Sequence, residues 1–125
     1  MSGSYRDLKA WQKSIELVLE VYTCTRTFPR DELYGLANQL RRAAVSVPSN
    51  IAEGKGRSSD KEFVLFLHHA RGSVCEVETQ LTMANRLGYL TQSETDRLVG
   101  RASEVAKIVN GLINSLKPGD STAAT

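Results

Sequence analysis

The sequence contains few of the residues that mark turn-rich, disulfide-bonded or membrane-spanning proteins. Three prolines and 6% aromatic residues disfavour a β fold built from many turns. The two cysteines, Cys24 and Cys75, lie in apolar helical patterns without metal-type spacing, so we expect buried free thiols rather than a disulfide or a ligand pair. No apolar run approaches the roughly 18 residues of a membrane span, and residues 1–7 are polar, without a signal-peptide core. These absences predict a cytoplasmic protein that does not enter a membrane.

The remaining composition is that of an ordinary globular protein, with 41% hydrophobic and 24% charged residues. A length of 125 residues fits one domain, which we place at residues 5–117, with flexible termini at residues 1–4 and 118–125. The formal net charge of +2 is too small to indicate nucleic-acid binding from bulk charge alone. The position of the charges therefore matters more than their sum.

Apolar residues recur at three- and four-residue intervals in four segments, which predicts four helices. These segments cover about residues 5–27, 31–53, 60–87 and 92–117. Ser59 with Glu62, and Thr91 with Glu94, have the spacing of capping boxes at the starts of the third and fourth helices. Short connections make consecutive helices neighbours of opposite direction. The sequence therefore predicts an all-α fold, an antiparallel up-and-down four-helix bundle.

A proline inside the second helix is the main irregularity of this pattern. Pro48 removes one backbone hydrogen bond and crowds the carbonyl four residues earlier, at Ala44. This predicts either a kink near residues 44–47 or a break into two helices.

The first helix carries two apolar stripes rather than one. Leu8, Trp11, Ile15, Val18 and Tyr22 form the first, and Ala10, Leu17, Val21, Cys24 and Phe28 form the second. Together they cover more than half the helix, which exceeds what one side of a small bundle uses. We expect the second stripe, through Leu17 and Val21, to form an oligomer interface. The alternative is that both residues widen the intrachain core.

A stripe of polar side chains runs beside the apolar face of the second helix. It comprises Gln39, Arg42, Ser46, Asn50 and Glu53, and we expect Ser73 and Glu76 of the third helix to face it. Small and amide side chains beside a core favour a structural role, with satisfied hydrogen bonds that specify one packing arrangement. A charge-assisted contact between Arg42 and Glu76 would fit this polar stripe. A ligand site is the alternative.

The spacings that enzymes require are missing. No glutamate is followed three residues later by histidine, as a di-iron bundle requires, and the adjacent His68 and His69 diverge by roughly 100° around a helix. The Gly54-Lys55-Gly56-Arg57 segment follows a helix rather than a strand, so it predicts a turn and not a phosphate loop. We therefore expect a non-enzymatic protein without cofactor or metal.

Four cations lie along the second helix and its turn into the third, namely Arg41, Lys55, Arg57 and Lys61. Such side chains can reach phosphates, and a symmetric oligomer would repeat the patch around its axis. We therefore expect RNA or DNA binding with little sequence preference. The alternative is a protein-interaction scaffold that makes no direct nucleic-acid contact, in which these cations serve solubility alone.

Several segments together resemble one protein family. They are Leu8-Lys9-Ala10-Trp11-Gln12-Lys13, Phe28-Pro29, the run from Leu36 to Gly54 centred on Gln39-Leu40-Arg41-Arg42-Ala43-Ala44, Glu62-Phe63, and Ala70-Arg71-Gly72-Ser73-Val74-Cys75-Glu76. In these segments the chain resembles the four-helix-bundle proteins encoded in 23S rRNA intervening sequences, over about residues 5–116. The resemblance implies a homopentamer without established catalytic activity. It also implies a relation to the accessory variability proteins of diversity-generating retroelements, which engage nucleic acid and a reverse transcriptase.

Overall fold

Four α-helices make up most of the computed structural model, which describes residues 3–116. They are α1 (Lys9–Thr25), α2 (Leu36–Lys55), α3 (Asp60–Arg86) and α4 (Gln92–Leu116). Short 3-10 helices at Tyr5–Asp7 and Arg30–Glu32 precede α1 and α2. Residues 3–116 contain no strand, which confirms the all-α prediction. The predicted flexible termini lie outside this range apart from residues 3 and 4.

Side-chain caps fix where the last two helices begin. The Ser59 hydroxyl accepts a hydrogen bond from the Glu62 amide at 3.2 Å. At the start of α4 the exchange is reciprocal, since Thr91 Oγ1 accepts from the Glu94 amide and Glu94 Oε1 accepts from the Thr91 amide. Each bond satisfies an amide that a helix terminus otherwise leaves unpaired. Both predicted caps are therefore confirmed.

The helix α2 runs through Pro48 without a break. Pro48 lies inside Leu36–Lys55 and is itself buried. The predicted division into two helices is therefore wrong, because one missing backbone hydrogen bond is outweighed by the packing of the buried side chains on either side, Val47 and Ile51.

One hydrophobic core joins all four helices, with α1 and α3 each packed against both α2 and α4. This arrangement is consistent with a four-helix bundle. The largest side chains that are almost completely buried are Leu17, Leu40, Ile51, Leu67, Leu81, Leu98 and Ile113.

The expected oligomer interface at Leu17 and Val21 is wrong, because a single chain already buries both residues completely. The buried face of α1 also includes Ser14 and Thr25. Their hydroxyls donate to the carbonyls of Trp11 and Val21, each at 2.8 Å, so neither is left unpaired inside the core. The buried face of α1 therefore includes polar residues, and these make it less apolar as a sequence pattern.

The first apolar stripe of α1 is the one that reaches the surface. Trp11, Ile15 and Val18 are half-buried, and with Val45 and Pro48 of α2 they line a shallow depression of about 280 Å³. We call this surface the α1–α2 apolar groove. Val45 is 39% exposed, and Leu19, on the neighbouring face of α1, is 62% exposed. The excess of apolar surface on α1 is real, but it lies on the first stripe and not on the second, where the interface was predicted.

Candidate functional site

Three of the four predicted phosphate-binding cations lie in or beside the turn between α2 and α3. Arg57 forms an ion pair with Glu53 at 2.7 Å, and its guanidinium lies 4.7 Å from the centre of the Phe66 ring. The Lys55 ammonium lies 5.9 Å from the Phe63 ring. Lys61 is exposed and has no carboxylate partner within residues 3–116. Contacts with the rings restrain two of the three cations at this turn.

A close approach of the two helices supports this turn. Gly54 is buried, and a Cβ atom added there would lie 2.6 Å from Phe66 Cβ and 2.9 Å from Phe63 Cδ1. The second helix was predicted to end at about residue 53, and α2 continues two residues further, to Lys55. Glycine at this position therefore allows α2 to lie against the phenylalanines that contact the two cations.

Arg41 does not belong to the same cluster. Fourteen residues of helix separate Arg41 from Lys55, or about 21 Å at 1.5 Å per residue. Arg41 Nε instead donates to Thr25 Oγ1 at 2.8 Å, and the guanidinium lies 4.9 Å from the Tyr22 ring centre. The structure brings three of the predicted cations together and leaves the fourth toward the opposite end of α2.

Two arginines that the sequence pattern did not single out accompany Arg41. Arg26 and Arg30 line, with Arg41, a cavity of about 250 Å³ between the end of α1 and the start of α2. We call it the three-arginine cavity; its other lining residues are Thr25, Phe28, Pro29, Leu33 and Ala37. In the sequence, the only indication of this cavity was the position of Arg26 and Arg30 on either side of Phe28-Pro29. Arg41 joins them only because α1 packs on α2.

The centre of the predicted polar stripe forms a hydrogen-bonded group between α2 and α3. The Ser46 and Ser73 hydroxyls lie 2.8 Å apart, and Asn50 Nδ2 donates to Ser46 Oγ at 2.9 Å. Asn50 also donates to the Ser46 carbonyl at 2.8 Å. The Ser46–Ser73 bond joins α2 to α3, whereas the two Asn50 bonds lie within α2 and orient the Ser46 hydroxyl.

The two ends of the polar stripe behave differently from its centre. Arg42 and Glu76 are both exposed, and within residues 3–116 no ion pair joins them, so the expected contact is wrong. A solvated pair gains little from contact because water screens the charges and two long side chains lose freedom. Gln39, which is exposed, lines an open depression with Arg42 and Glu76. In the same depression, Gln80 Oε1 is buried and has no hydrogen-bond partner among residues 3–116.

Histidines and cysteines are further reactive groups in the described part of the chain. The His68 imidazole and Arg71 are hydrogen-bonded at 2.9 Å, and Arg71 donates to Asn110 of α4 at 2.8 Å. No group of three or more metal-ligating side chains occurs in the described part of the chain. Of the two thiols expected to be buried, only Cys24 is; Cys75 is exposed, one residue past the buried Val74 and so turned away from the core. Burial raises the pKa of the Cys24 thiol to about 11, which keeps it protonated and unreactive.

None of the helices within residues 3–116 has the length and apolar character that crossing a membrane requires.

Comparisons with known proteins agree with this architecture. A crystal structure of a protein of unknown function from the S23 ribosomal protein family of Bacteroides thetaiotaomicron superposes with a TM-score of 0.78 at 21% sequence identity. The superposition covers 83% of this chain and 97% of that one, and at this identity it shows a shared fold. No protein of curated function has a significantly similar sequence. The family model described as 23S rRNA-intervening sequence protein matches residues 6–111, most of the chain, and the chain therefore belongs to that family.

Proposed function

We propose that this protein is a non-enzymatic, oligomeric accessory factor that binds RNA or DNA through the turn between α2 and α3. The observation that carries the proposal is the set of cations restrained on aromatic rings, Lys55 on Phe63 and Arg57 on Phe66, beside the exposed Lys61. A guanidinium that lies over a ring keeps N–H groups available for phosphate oxygens. This surface suits a phosphate backbone better than base edges.

Carboxylates near the turn limit the strength of each contact. Glu53 pairs with Arg57, and Asp60 and Glu62 lie in the first turn of α3. We therefore expect weak binding per subunit, and useful affinity only when several copies of the turn contact one strand. The proposed relation to the accessory variability proteins of diversity-generating retroelements points in the same direction.

We expect the Lys55→Ala/Arg57→Ala/Lys61→Ala variant to bind nucleic acid more weakly than the wild type and with a smaller dependence on salt. A protein that neutralises fewer phosphates displaces fewer counterions from the strand, so the slope of log affinity against log salt falls. Fluorescence anisotropy with a labelled single strand, measured between about 50 and 200 mM salt, gives both quantities.

A Lys13→Ala/Arg86→Ala/Lys107→Ala variant removes the same formal charge away from the turn and serves as the matched control. Equal weakening by both variants would indicate attraction to overall charge and not to the turn. Absence of wild-type binding at low salt would favour the scaffold, in which the chain contacts only proteins.

We further propose that the four helices run alternately up and down and that the chain assembles as a homopentamer. Support for the antiparallel order comes from contacts in which residue numbers rise on one helix as they fall on the other. Glu16 pairs with Arg101 and Glu20 with Arg97 between α1 and α4. Between α2 and α3, Ser46 meets Ser73 and Gly54 lies against Phe66. The pentamer is implied by the family resemblance, and the exposed α1–α2 apolar groove supports a contact between copies.

We expect Ile15→Glu/Val45→Glu to reduce the mass of the assembly while helix content remains. Both residues line the α1–α2 apolar groove, where a carboxylate would be desolvated by a neighbouring copy but not by the chain's own core. Light scattering gives the mass, and circular dichroism gives the helix content. Leu65→Glu, at a 55% exposed position of α3 outside this groove, is the control and should keep the wild-type mass. A wild-type mass of 13.8 kDa, that of one chain, would contradict the oligomer.

A further inference from the structure

We infer that the three-arginine cavity is a binding site for a phosphate monoester, separate from the turn between α2 and α3. It lies toward the opposite end of α2 and combines cations from three elements: Arg26 follows α1, Arg30 begins the 3-10 helix, and Arg41 belongs to α2. The inference does not depend on nucleic-acid binding at the turn.

Arg41 is held in place before any ligand arrives. Its Nε donates to Thr25 Oγ1, and Thr25 is itself fixed because its hydroxyl donates to the Val21 carbonyl at 2.8 Å. The Tyr22 ring restrains the guanidinium from one side. A guanidinium has five N–H donors, so the Thr25 bond leaves four that have no partner within residues 3–116. Arg41 therefore offers a fixed pair of terminal nitrogens to an anion at the cavity.

Arg26 and Arg30 add two further charges that the protein does not neutralise. Neither forms an ion pair or a side-chain hydrogen bond within residues 3–116. The carboxyl end of α1 attracts cations, which accounts for an arginine at position 26. It does not account for arginines 30 and 41, which belong to other elements and line the same cavity.

The two carboxylates that follow Arg30 in the sequence are directed to other partners or lie outside the cavity. Glu32 Oε1 accepts from the Leu36 amide at 2.9 Å, and Glu32 Oε2 accepts from the Tyr89 hydroxyl at 2.8 Å. These bonds, the amide first, lower the pKa of Glu32 and keep it ionised where it is. Asp31 is exposed and is not among the residues that line the cavity. Within residues 3–116 no carboxylate forms an ion pair with any of the three arginines, so their positive charge is available to an anion.

Size and charge together select the class of ligand. A cavity of about 250 Å³ is smaller than the roughly 300–1,000 Å³ typical of sites for drug-sized ligands, so it suits a phosphate with a few further atoms. A phosphate monoester carries about −1.5 to −2 charge at pH 7, whereas a carboxylate carries −1, so the doubly charged anion matches three arginines better. Phe28, Leu33 and Ala37 give the cavity an apolar wall for the carbon that carries the phosphate. The ester is either a small free molecule or the terminal phosphate of a nucleic-acid strand.

Calorimetric titration with inorganic phosphate tests the site on the full chain. We expect saturable binding by the wild type and an affinity at least about tenfold lower in Arg26→Gln/Arg30→Gln, since that variant lacks two cations that form charge-assisted hydrogen bonds to the anion. Arg41 is left intact because its contact with Thr25 also joins α1 to α2. Arg57→Gln/Lys61→Gln, which removes the same charge at the other end of α2, should bind phosphate like the wild type. Equal weakening in both double variants, or no saturable binding by the wild type, would overturn the proposal.

Two strands of identical sequence, one with a 5′-phosphate and one with a 5′-hydroxyl, distinguish the sources of the ester. Tighter binding of the phosphorylated strand, abolished by Arg26→Gln/Arg30→Gln, assigns the cavity to a strand terminus. Equal binding of the two strands alongside saturable phosphate binding assigns it to a small free ester. The two proposals can be refuted separately. If the protein binds strands but not phosphate, the proposed site in the three-arginine cavity is refuted and nucleic-acid binding at the turn is not. If it binds phosphate but not strands, nucleic-acid binding at the turn is refuted.

Discussion

Leu17→Glu is expected to unfold the protein rather than only dissociate an assembly. Leu17 has no exposed surface, and the chain that buries it is its own. Replacement by alanine at such a site costs about 2–5 kcal/mol of unfolding free energy, and glutamate adds the desolvation of an unpaired carboxylate. Because whole domains are stable by only about 5–15 kcal/mol, the glutamate variant should lose most of its helical circular dichroism at 25 °C.

Leu19→Glu is the matched control, two residues along the same helix at a position that is 62% exposed. The same chemical change there should leave the unfolding free energy, measured by urea titration, within about 0.5 kcal/mol of the wild type. A Leu17→Glu variant that stays fully helical but has a lower assembly mass would show that Leu17 lies between subunits, contrary to its burial in the single chain.

Gly54→Ala is expected to destabilise the protein, although alanine usually favours a helix. In a helix interior, glycine to alanine stabilises by about 0.5–1 kcal/mol. Here the new Cβ would lie 2.6 Å from Phe66 Cβ, an atom fixed to the backbone of α3, so α2 and α3 must move apart. Overpacking of this kind costs about 1–3 kcal/mol, which exceeds the helix preference. The measurement is the unfolding free energy from urea titration at constant m-value.

Gly100→Ala provides the comparison, because Gly100 lies inside α4 and a Cβ there meets no atom within 4 Å. It should raise the unfolding free energy by about 0.5–1 kcal/mol, opposite in sign to Gly54→Ala. If both substitutions stabilise to the same extent, the close approach of α2 and α3 at Gly54 is looser than the structure indicates.

Local patterns in the sequence were sufficient to predict where the helices lie. They were less sufficient to predict which face of each helix is buried. The caps at Ser59 and Thr91 are decided by residues three apart, so the sequence alone predicts them. Which stripe of α1 turns inward is decided by the other helices. Ser14 and Thr25 weaken the inner stripe as a sequence pattern, yet in the fold their hydroxyls bond to the helix's own carbonyls. The first apolar stripe has larger side chains, including Trp11, and these indicated the wrong face of α1 as the one turned toward the core.

The candidate sites depend on distances between helices, which composition and spacing do not contain. The cluster at the turn was predictable because Lys55, Arg57 and Lys61 are close in the chain. The three-arginine cavity was not, since Arg26 and Arg41 are fifteen positions apart and meet only through the packing of α1 on α2. Cys75 was assigned to the core by its apolar neighbours, although one residue of helix rotates a side chain by about 100°.

The ion pairs between α1 and α4 join the first and the last of the four helices, which are also synthesised furthest apart in time. Glu20 and Arg97 are separated by 77 positions, and Glu16 and Arg101 by 85. Contacts this distant in sequence form late, because a long loop must close before they contribute. During synthesis from the amino terminus, α2 and α3 are available to α1 well before α4 is complete. The part of the inner face of α1 that packs on α4 therefore remains open to solvent in the nascent chain, and the core is completed only when the last helix emerges.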